Sequence, residues 1–267
     1  MVRYLDCSNY KGAIDSVQNI LGIPKEHFVG LFRELDTDSM YEECPGYDSF
    51  EETIFPYLRN RFEIKTNFDY TCWFHGTRIF PNQVYTKGIL PLTSNLDFIW
   101  SNLKNLAPKY FSSQEWNEFR QKMTEGQFPI HFTELYSMKV ADNFHYGPYG
   151  LLVRELFEQP KRMGNWDYLG APEIVYDICA TFKDNYDYDL LSSYLNYSQA
   201  CIVKFKDKNN RKYLLGVSLA YIYCKTNDIK IWQDCSYAYN GHAIGVPAED
   251  IITVEIIEGW QSQNGVF

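Results

Sequence analysis

The chain has 267 residues, of which 45% are apolar, and its formal net charge at pH 7 is −9. This composition excludes an intrinsically disordered chain, and the length provides one large domain or one domain with a small second one. The negative charge argues against tight, sequence-independent binding to nucleic acid, although a local basic patch could still serve a nucleic-acid substrate.

The apolar runs and the cysteines predict a cytoplasmic protein. No apolar run reaches the roughly 18 residues of a membrane span, and the N-terminus lacks the apolar core of a signal peptide, so no membrane partner is expected. The seven cysteines are scattered and form no CxxC pair, which favours reduced, buried thiols. The five histidines show neither HxxxH nor HExxH spacing, so no metal site is predicted.

Residues 1–65 predict a helical N-terminal region. Apolar residues recur at helical spacing after Tyr10 and again after Pro24. Residues 41–48 contain Pro-Gly and predict a loop, and residues 49–62 predict a further helix. This region contains no combination of catalytic side chains, so we expect a helical cap or a substrate-recognition lobe.

The stretch Tyr70–Leu92 predicts a buried strand that ends in polar residues. His75 closes the apolar run, and Gly76 lets a flat ligand approach the backbone because it has no side chain. Thr77 offers a hydroxyl, and Arg78 offers a planar cation that suits phosphate oxygens. A structural alternative stays open, in which the histidine bonds locally and the arginine lies in solvent.

The middle of the chain predicts helices with one short strand between them. The predicted helices cover residues 96–106, 112–126 and 172–182, and Glu173 suits the positive end of the last helix dipole. The remaining segments are a strand at 129–134, a helical turn at 137–144, a glycine-punctuated loop at 145–150 and an exposed connector at 185–197.

The C-terminal third predicts β-structure, because β-branched and aromatic residues dominate its apolar runs. The predicted strands lie at residues 200–206, 212–224 (as one or two strands), 229–232, 239–245 and 251–257.

Three short motifs resemble those of the ADP-ribosyltransferase superfamily, which includes poly-ADP-ribose polymerases, DNA- and RNA-modifying toxins and tRNA 2'-phosphotransferases. The first is His75-Gly76-Thr77 followed by Gly88-Ile89-Leu90. The second is the run IHFTELYSMKVADNFHY at residues 130–146, which is similar to a strand, a short helix and a tyrosine. The third is the predicted strand 239–245, a Val-Pro turn and the final strand 251–257. These motifs cover about a sixth of the chain.

The resemblance implies an α+β fold with an ADP-ribosyltransferase-like split β-sheet core at residues 66–258, preceded by the helical region and followed by a tail at 259–267. It implies transfer of ADP-ribose from NAD to a macromolecular acceptor, either protein or nucleic acid. A bacterial toxin or anti-phage effector is the expected setting, with an antitoxin or regulatory protein as a further partner.

The resemblance also implies roles for individual residues. The NAD-binding candidates are His75, Gly76, Thr77, Arg78, His131, Tyr146 and Tyr149. Tyr146, or Phe144 in a shifted register, would stack on nicotinamide. The third motif departs from the family pattern, because Asn240-Gly241-His242 stands where a glutamate is normal. The catalytic candidates are therefore His75, Tyr146 and His242, with Glu134, Glu155 or Glu173 as alternatives to the missing glutamate. Glu249 belongs to the turn and replaces it less well.

Two other functions stay open. The segment Ile130-His131-Phe132 also resembles a strand of the NAD-using RNA 2'-phosphotransferases. A non-catalytic module that binds NAD or ADP-ribose would explain the missing glutamate. A nucleophilic Cys72 assisted by His75 or His242 is a weaker hypothesis, because Cys72 lies in a strand-like run and is expected to be packed.

Overall fold

The computed structural model describes residues 2–81, 83–141 and 146–260. It is a mixed structure, 51% helical and 15% strand, with an open sheet, which confirms the α+β class. None of the helices in these ranges is long and apolar enough to cross a membrane. The described residues form two compact units: 2–74, 150–164 and 204–239 make the first, and 75–81, 83–141, 146–149, 165–203 and 240–260 make the second.

The described part of the chain forms ten α-helices and six strands. The helices are α1 (Tyr10–Leu21), α2 (Lys25–Glu34), α3 (Thr37–Glu43), α4 (Phe50–Arg59), α5 (Leu92–Leu106), α6 (Ser113–Thr124), α7 (His131–Ala141), α8 (Glu173–Tyr186), α9 (Leu190–Tyr197) and α10 (Lys212–Thr226). The strands are β1 (Tyr4–Leu5), β2 (Tyr70–Ile79), β3 (Tyr149–Leu151), β4 (Gln199–Asp207), β5 (Ala238–Asn240) and β6 (Ile251–Ile257).

The six strands make one sheet in the order β5-β3-β2-β4-β6, and β1 pairs separately with β2. β1 and β2 are parallel, with Tyr4 opposite Tyr70. β2 and β3 are antiparallel, with Phe74 opposite Leu151. The strands predicted at residues 200–206 and 251–257 are confirmed as β4 and β6. The strand predicted to lead into His75 is confirmed as β2, which continues past His75 to Ile79.

Local capping explains why several helices begin and end where the sequence predicts. The side chain of Asn9 accepts a hydrogen bond from Gly12 N at the start of α1, and Gly22 ends that helix with a φ of 76°. Ser112 and Glu115 form a reciprocal capping box at the start of α6. Pro172 precedes α8, which begins at Glu173 as predicted.

The apolar interior of the second unit is formed by α5 to α9. Its buried residues are Trp100, Leu103, Trp116, Phe119, Met123, Tyr136, Ala171, Ile174, Val175, Ile178, Cys179, Phe182, Leu190 and Tyr194. Aromatic rings in this cluster meet edge to face, as between Trp100 and Trp116 at 5.5 Å.

Two predicted loops contain helices. Residues 41–48 were expected to be a loop, yet α3 extends to Glu43, because Asp36 caps it by accepting from Asp38 N at 3.2 Å. The connector predicted at 185–197 contains α9, which buries Leu190 and Tyr194 on one face. Its N-cap is Asp189, whose side chain accepts a hydrogen bond from Ser192 N at 3.0 Å.

The prediction of strands over residues 212–224 is wrong, because this segment is the helix α10. Every residue from Leu214 to Cys224 is buried. A helix that is buried on all sides shows no apolar stripe, so its sequence cannot be distinguished from that of a buried strand by periodicity.

The prediction of a strand over residues 129–134 is also wrong, because α7 begins at His131. Thr133 and Tyr136 are buried one turn apart, and the Tyr136 hydroxyl accepts a hydrogen bond from Trp100 Nε1 at 3.1 Å. His131 is therefore on a helix, and this segment lacks the strand on which both the second motif and the 2'-phosphotransferase alternative depended.

Two further predicted strands are corrected. Residues 229–232 are irregular, with Ile231 buried. The strand predicted at 239–245 is short: β5 ends at Asn240, and residues 242–243 form a turn. His242 therefore lies on a turn and not on a strand.

Candidate functional site

His75 lies in β2, and its imidazole is fixed by the backbone of another strand. Its Nδ1 is 2.6 Å from the main-chain oxygen of Tyr149. A carbonyl only accepts hydrogen bonds, so we assign the proton to Nδ1 and the lone pair to Nε2. Burial lowers the pKa of His75, and the bond to Tyr149 only partly opposes this. The ring is therefore neutral near pH 7 and accepts through Nε2.

Residues 147–149, whose Tyr149 carbonyl binds His75, are also hydrogen-bonded to the turn that carries His242. Gly241 N donates to the oxygen of Pro148 at 2.9 Å, and Ala243 N donates to the oxygen of Gly147 at 3.0 Å. His242 lies between these two donors, is exposed and has a φ of 48°. We call His75 together with residues 147–149 and 241–243 the histidine cluster.

Glycine is required at position 241 of this cluster. A Cβ there would lie 2.7 Å from Pro148 Cδ and 2.7 Å from the oxygen of Ile244. Any side chain would therefore force the turn away from the Gly147–Pro148 segment. The motif glycine thus permits the close approach of the His242 turn to Gly147 and Pro148, which precede the Tyr149 that binds His75.

The first and third motifs also meet at a second point. Ile89 and Val246 form an antiparallel bridge with two N–H···O bonds of 2.9 Å each. Gly88 has a φ of 79°, and a Cβ there would collide with the main-chain oxygen of Val246. Segments that are more than 150 residues apart in sequence are therefore neighbours.

The guanidinium of Arg78 is occupied by protein atoms. Nε donates to Ser198 Oγ at 2.8 Å, and Nη1 donates to the oxygen of Leu169 at 2.8 Å. Nη2 donates to the oxygens of Leu195 and Ser198 at 2.9 and 2.7 Å. Four of the five N–H groups are thus used to tie β2 to neighbouring backbone, so Arg78 has a structural role. Its predicted contact with pyrophosphate stays a prediction.

A second polar group forms around Lys139, which no motif had indicated. Its Nζ lies 3.2 Å from Glu173 Oε2 and 2.7 Å from Asp177 Oδ2. The hydroxyl of Tyr168 donates to Glu173 Oε1 at 2.9 Å. We call Lys139, Tyr168, Glu173 and Asp177 the carboxylate cluster.

Burial controls the charge of this cluster. It raises the pKa of Asp177 to about 6, even though the Lys139 ammonium favours the carboxylate. Burial, and then the Glu173 carboxylate, hold the pKa of Tyr168 well above its usual range, and the phenol of Tyr149 adds to this effect. The Tyr149 carbonyl binds His75 in the histidine cluster, and the Tyr149 phenol is the smallest of the electrostatic influences on Tyr168.

The remaining NAD-binding and stacking candidates differ in how deeply they are buried. Gly76 is buried and Thr77 is half-buried in β2. Tyr146 is half-buried, and its hydroxyl donates to the oxygen of Val140 at 3.0 Å. The alternative stacking residue, Phe144, lies outside the described residues.

Two candidates on α7 lie on the outer surface. The side chains of His131 and Glu134 are 72% and 80% exposed, and His131 Nδ1 is 3.8 Å from Glu134 Oε2. Neither residue belongs to the histidine cluster. Their exposure follows from α7 being a helix, which turns these two positions away from Thr133 and Tyr136.

Glu155 and Glu249, the other glutamate candidates, are bonded elsewhere or exposed. Glu155 is in the first unit, where it accepts from Tyr221 at 2.8 Å and from Lys225 at 2.7 Å. Glu249 is exposed in a short 3₁₀ helix at Ala248–Asp250. Burial raises the pKa of Cys72 to about 12, which opposes a role as a thiolate nucleophile.

Sequence reasoning found Glu173 but missed Lys139, Tyr168 and Asp177. A partial signal exists, because Glu173 and Asp177 are four residues apart and share a face of α8. Their partner, however, comes from α7, whose helical nature was not predicted. Among the described residues, no group of three or more His, Cys, Asp or Glu side chains is arranged to hold a metal ion.

Ten of the candidate residues lie in the second unit, namely His75, Gly76, Thr77, Arg78, His131, Glu134, Tyr146, Tyr149, Glu173 and His242, whereas Glu155 lies in the first. The chain matches no protein-family model, and comparisons with curated proteins and with solved structures gave no significant match.

Proposed function

We propose that this protein transfers ADP-ribose from NAD to a macromolecular acceptor, with the histidine cluster as part of the NAD-binding site. The proposal includes an ADP-ribosyltransferase-like split-sheet core at residues 66–258 and a cytoplasmic location. The observation that carries it is the 2.6 Å bond between His75 and Tyr149, because it turns the motif histidine into a fixed, neutral acceptor.

The histidine cluster and the residues next to it in sequence provide hydrogen-bonding and stacking groups that would hold a bent NAD molecule. The Nε2 of His75 would accept a hydrogen bond from a ribose hydroxyl, and Gly76 beside it presents backbone without a side chain. The hydroxyl of Thr77 would bond the carboxamide or a second ribose hydroxyl. The ring of Tyr146 would stack on nicotinamide.

Cleavage of the nicotinamide–ribose bond develops positive charge on the ribose, so a nearby carboxylate lowers the barrier. We assign this role to Glu173, because Tyr168 and Lys139 hold its carboxylate in the same unit that contains the histidine cluster. His242 would accept the proton that the attacking acceptor loses. The products are then nicotinamide, the ADP-ribosylated acceptor and a proton.

The test uses NAD that carries a label on its adenylate phosphate, incubated with the protein and a cell lysate. We expect label on a macromolecular fraction and a loss of about 100-fold on His75→Ala, since the substituted site no longer orients the ribose. The matched control is His27→Ala, an exposed histidine of α2 in the first unit, which should leave transfer unchanged. Glu173→Gln should abolish transfer while preserving NAD binding.

Calorimetry with NAD separates the remaining outcomes. Binding that His75→Ala weakens about tenfold, without any release of nicotinamide, would identify a non-catalytic module. If the wild-type protein neither binds NAD nor labels any acceptor, the proposed function is rejected.

A further inference from the structure

Two of the seven cysteines lie in direct contact through their sulfur atoms. The Sγ atoms of Cys224 and Cys235 are 3.6 Å apart, and both residues are 0% exposed. Cys224 is in the last turns of α10, and Cys235 is in a 3₁₀ helix at Gln233–Cys235. A disulfide has a sulfur–sulfur distance of about 2.05 Å, so an approach of about 1.5 Å would form the bond.

The contact makes the two thiols chemically different. Either sulfur can donate in this contact, and the arrangement in which Cys235 donates lowers the pKa of Cys224 and raises that of Cys235. We take this arrangement as the reactive one. Cys224 is therefore the thiol that ionises first, and thiolates are the nucleophiles in oxidation and disulfide chemistry. Burial instead raises the pKa of the other sequestered thiols, to about 12 for Cys7 and about 11 for Cys201.

We propose that Cys224 and Cys235 form a peroxide-sensitive pair that closes an intramolecular disulfide. The Cys224 thiolate attacks hydrogen peroxide, takes up one oxygen as a sulfenic acid and releases hydroxide. The sulfur of Cys235 then attacks the Cys224 sulfur, its proton leaves with the hydroxyl as water, and the disulfide forms. In total, two thiols are oxidised and one peroxide is reduced to two waters.

This site is independent of the proposed function. Both cysteines belong to the first unit, whereas the histidine and carboxylate clusters belong to the second. The disulfide would tie the end of α10 to the segment that follows it. Closing this loop restricts the unfolded chain, so the oxidised protein should melt at a temperature higher by about 5 °C.

The experiment treats the wild-type protein with hydrogen peroxide, removes the peroxide with catalase, and alkylates the remaining thiols after unfolding. Trypsin cuts after Lys225 and Lys230 and so separates the two cysteines. We expect the intact protein to lose two hydrogens, five thiols to remain alkylatable, and one cross-linked peptide pair to contain Cys224 and Cys235. Dithiothreitol should restore all seven thiols.

If solvent exposure alone decided which thiol reacts with peroxide, a different cysteine would be oxidised first. Cys44 is the most exposed of the thiols, at 5%. Oxygen added first at Cys44, or seven thiols that all survive the treatment, would overturn the proposal.

Variants provide a second check. Cys235→Ser should prevent the loss of two hydrogens and leave a sulfenic acid on Cys224, which a dimedone probe traps. Cys179→Ser, which removes a buried thiol of the second unit, should leave the cross-link intact. If the Cys235 variant does not fold, the peptide map of the wild-type protein still decides the question.

Discussion

The carboxylate of Asp177 couples stability to pH. Its side chain is buried beside Lys139, and burial raises the pKa from 3.8 to about 6. Between these values the native protein holds a proton that the unfolded chain has released. The free energy of unfolding therefore falls as the pH rises through this window, by up to about 3 kcal/mol, and this contribution is constant above about pH 6.

Asp177→Asn removes this ionisation and so tests the sign of the pH dependence of stability. The unfolding free energy of the wild-type protein minus that of the variant should fall as the pH rises from about 4 to about 7. Urea unfolding at intervals across this range measures it. Asp184→Asn, the same change at an exposed position of α8, should alter stability by less than about 0.5 kcal/mol throughout. A difference that stays constant or grows with pH would contradict the assignment.

Among the elements, α10 owes its position to a glycine that faces α4. A Cβ on Gly216 would collide with the main-chain oxygen of Glu51 and lie 2.9 Å from its Cβ. The two helices therefore approach more closely than any side chain at position 216 would allow. Gly30 in α2 is the opposite case, because nothing lies within 4 Å of the Cβ it would carry.

This contrast predicts that replacing glycine by alanine changes the stability in opposite directions in α2 and α10. Gly30→Ala should stabilise the protein by about 0.5–1 kcal/mol, because alanine is the better helix former. Gly216→Ala should destabilise it by about 2 kcal/mol, because overpacking outweighs the same gain in propensity. Chemical unfolding of both variants measures the two signs, and a stabilised Gly216→Ala variant would show that α4 and α10 can separate without cost.

For the molecule as a whole, the net charge bears on which acceptor the proposed reaction could use. With 34 acidic and 25 basic residues, the chain repels phosphate backbones on average. We expect a labelled single-stranded RNA of roughly 30 nucleotides to bind with a dissociation constant above about 100 μM at about 150 mM salt, as measured by fluorescence anisotropy. A constant below about 1 μM that rises steeply with salt would reveal a local basic patch and favour a nucleic-acid acceptor.

What the sequence determined by itself is local. Alternating β-branched residues were enough to predict β6, and an uninterrupted run of strand formers was enough for β2 and β4. Asn9, Gly22 and Ser112 act through hydrogen bonds to residues a few positions away, so their effect could be read from the chain alone.

Only the tertiary structure decided the rest, because the relevant partners are distant in sequence. Burial on every side hides the helical period of α10, and the side-chain bond between Trp100 and Tyr136 accompanies the helical form of α7. The site depends on the same kind of contact: the Tyr149 carbonyl orients His75, and Lys139 meets Asp177 across two helices. Such pairings are selected by packing, which no local pattern of residues encodes.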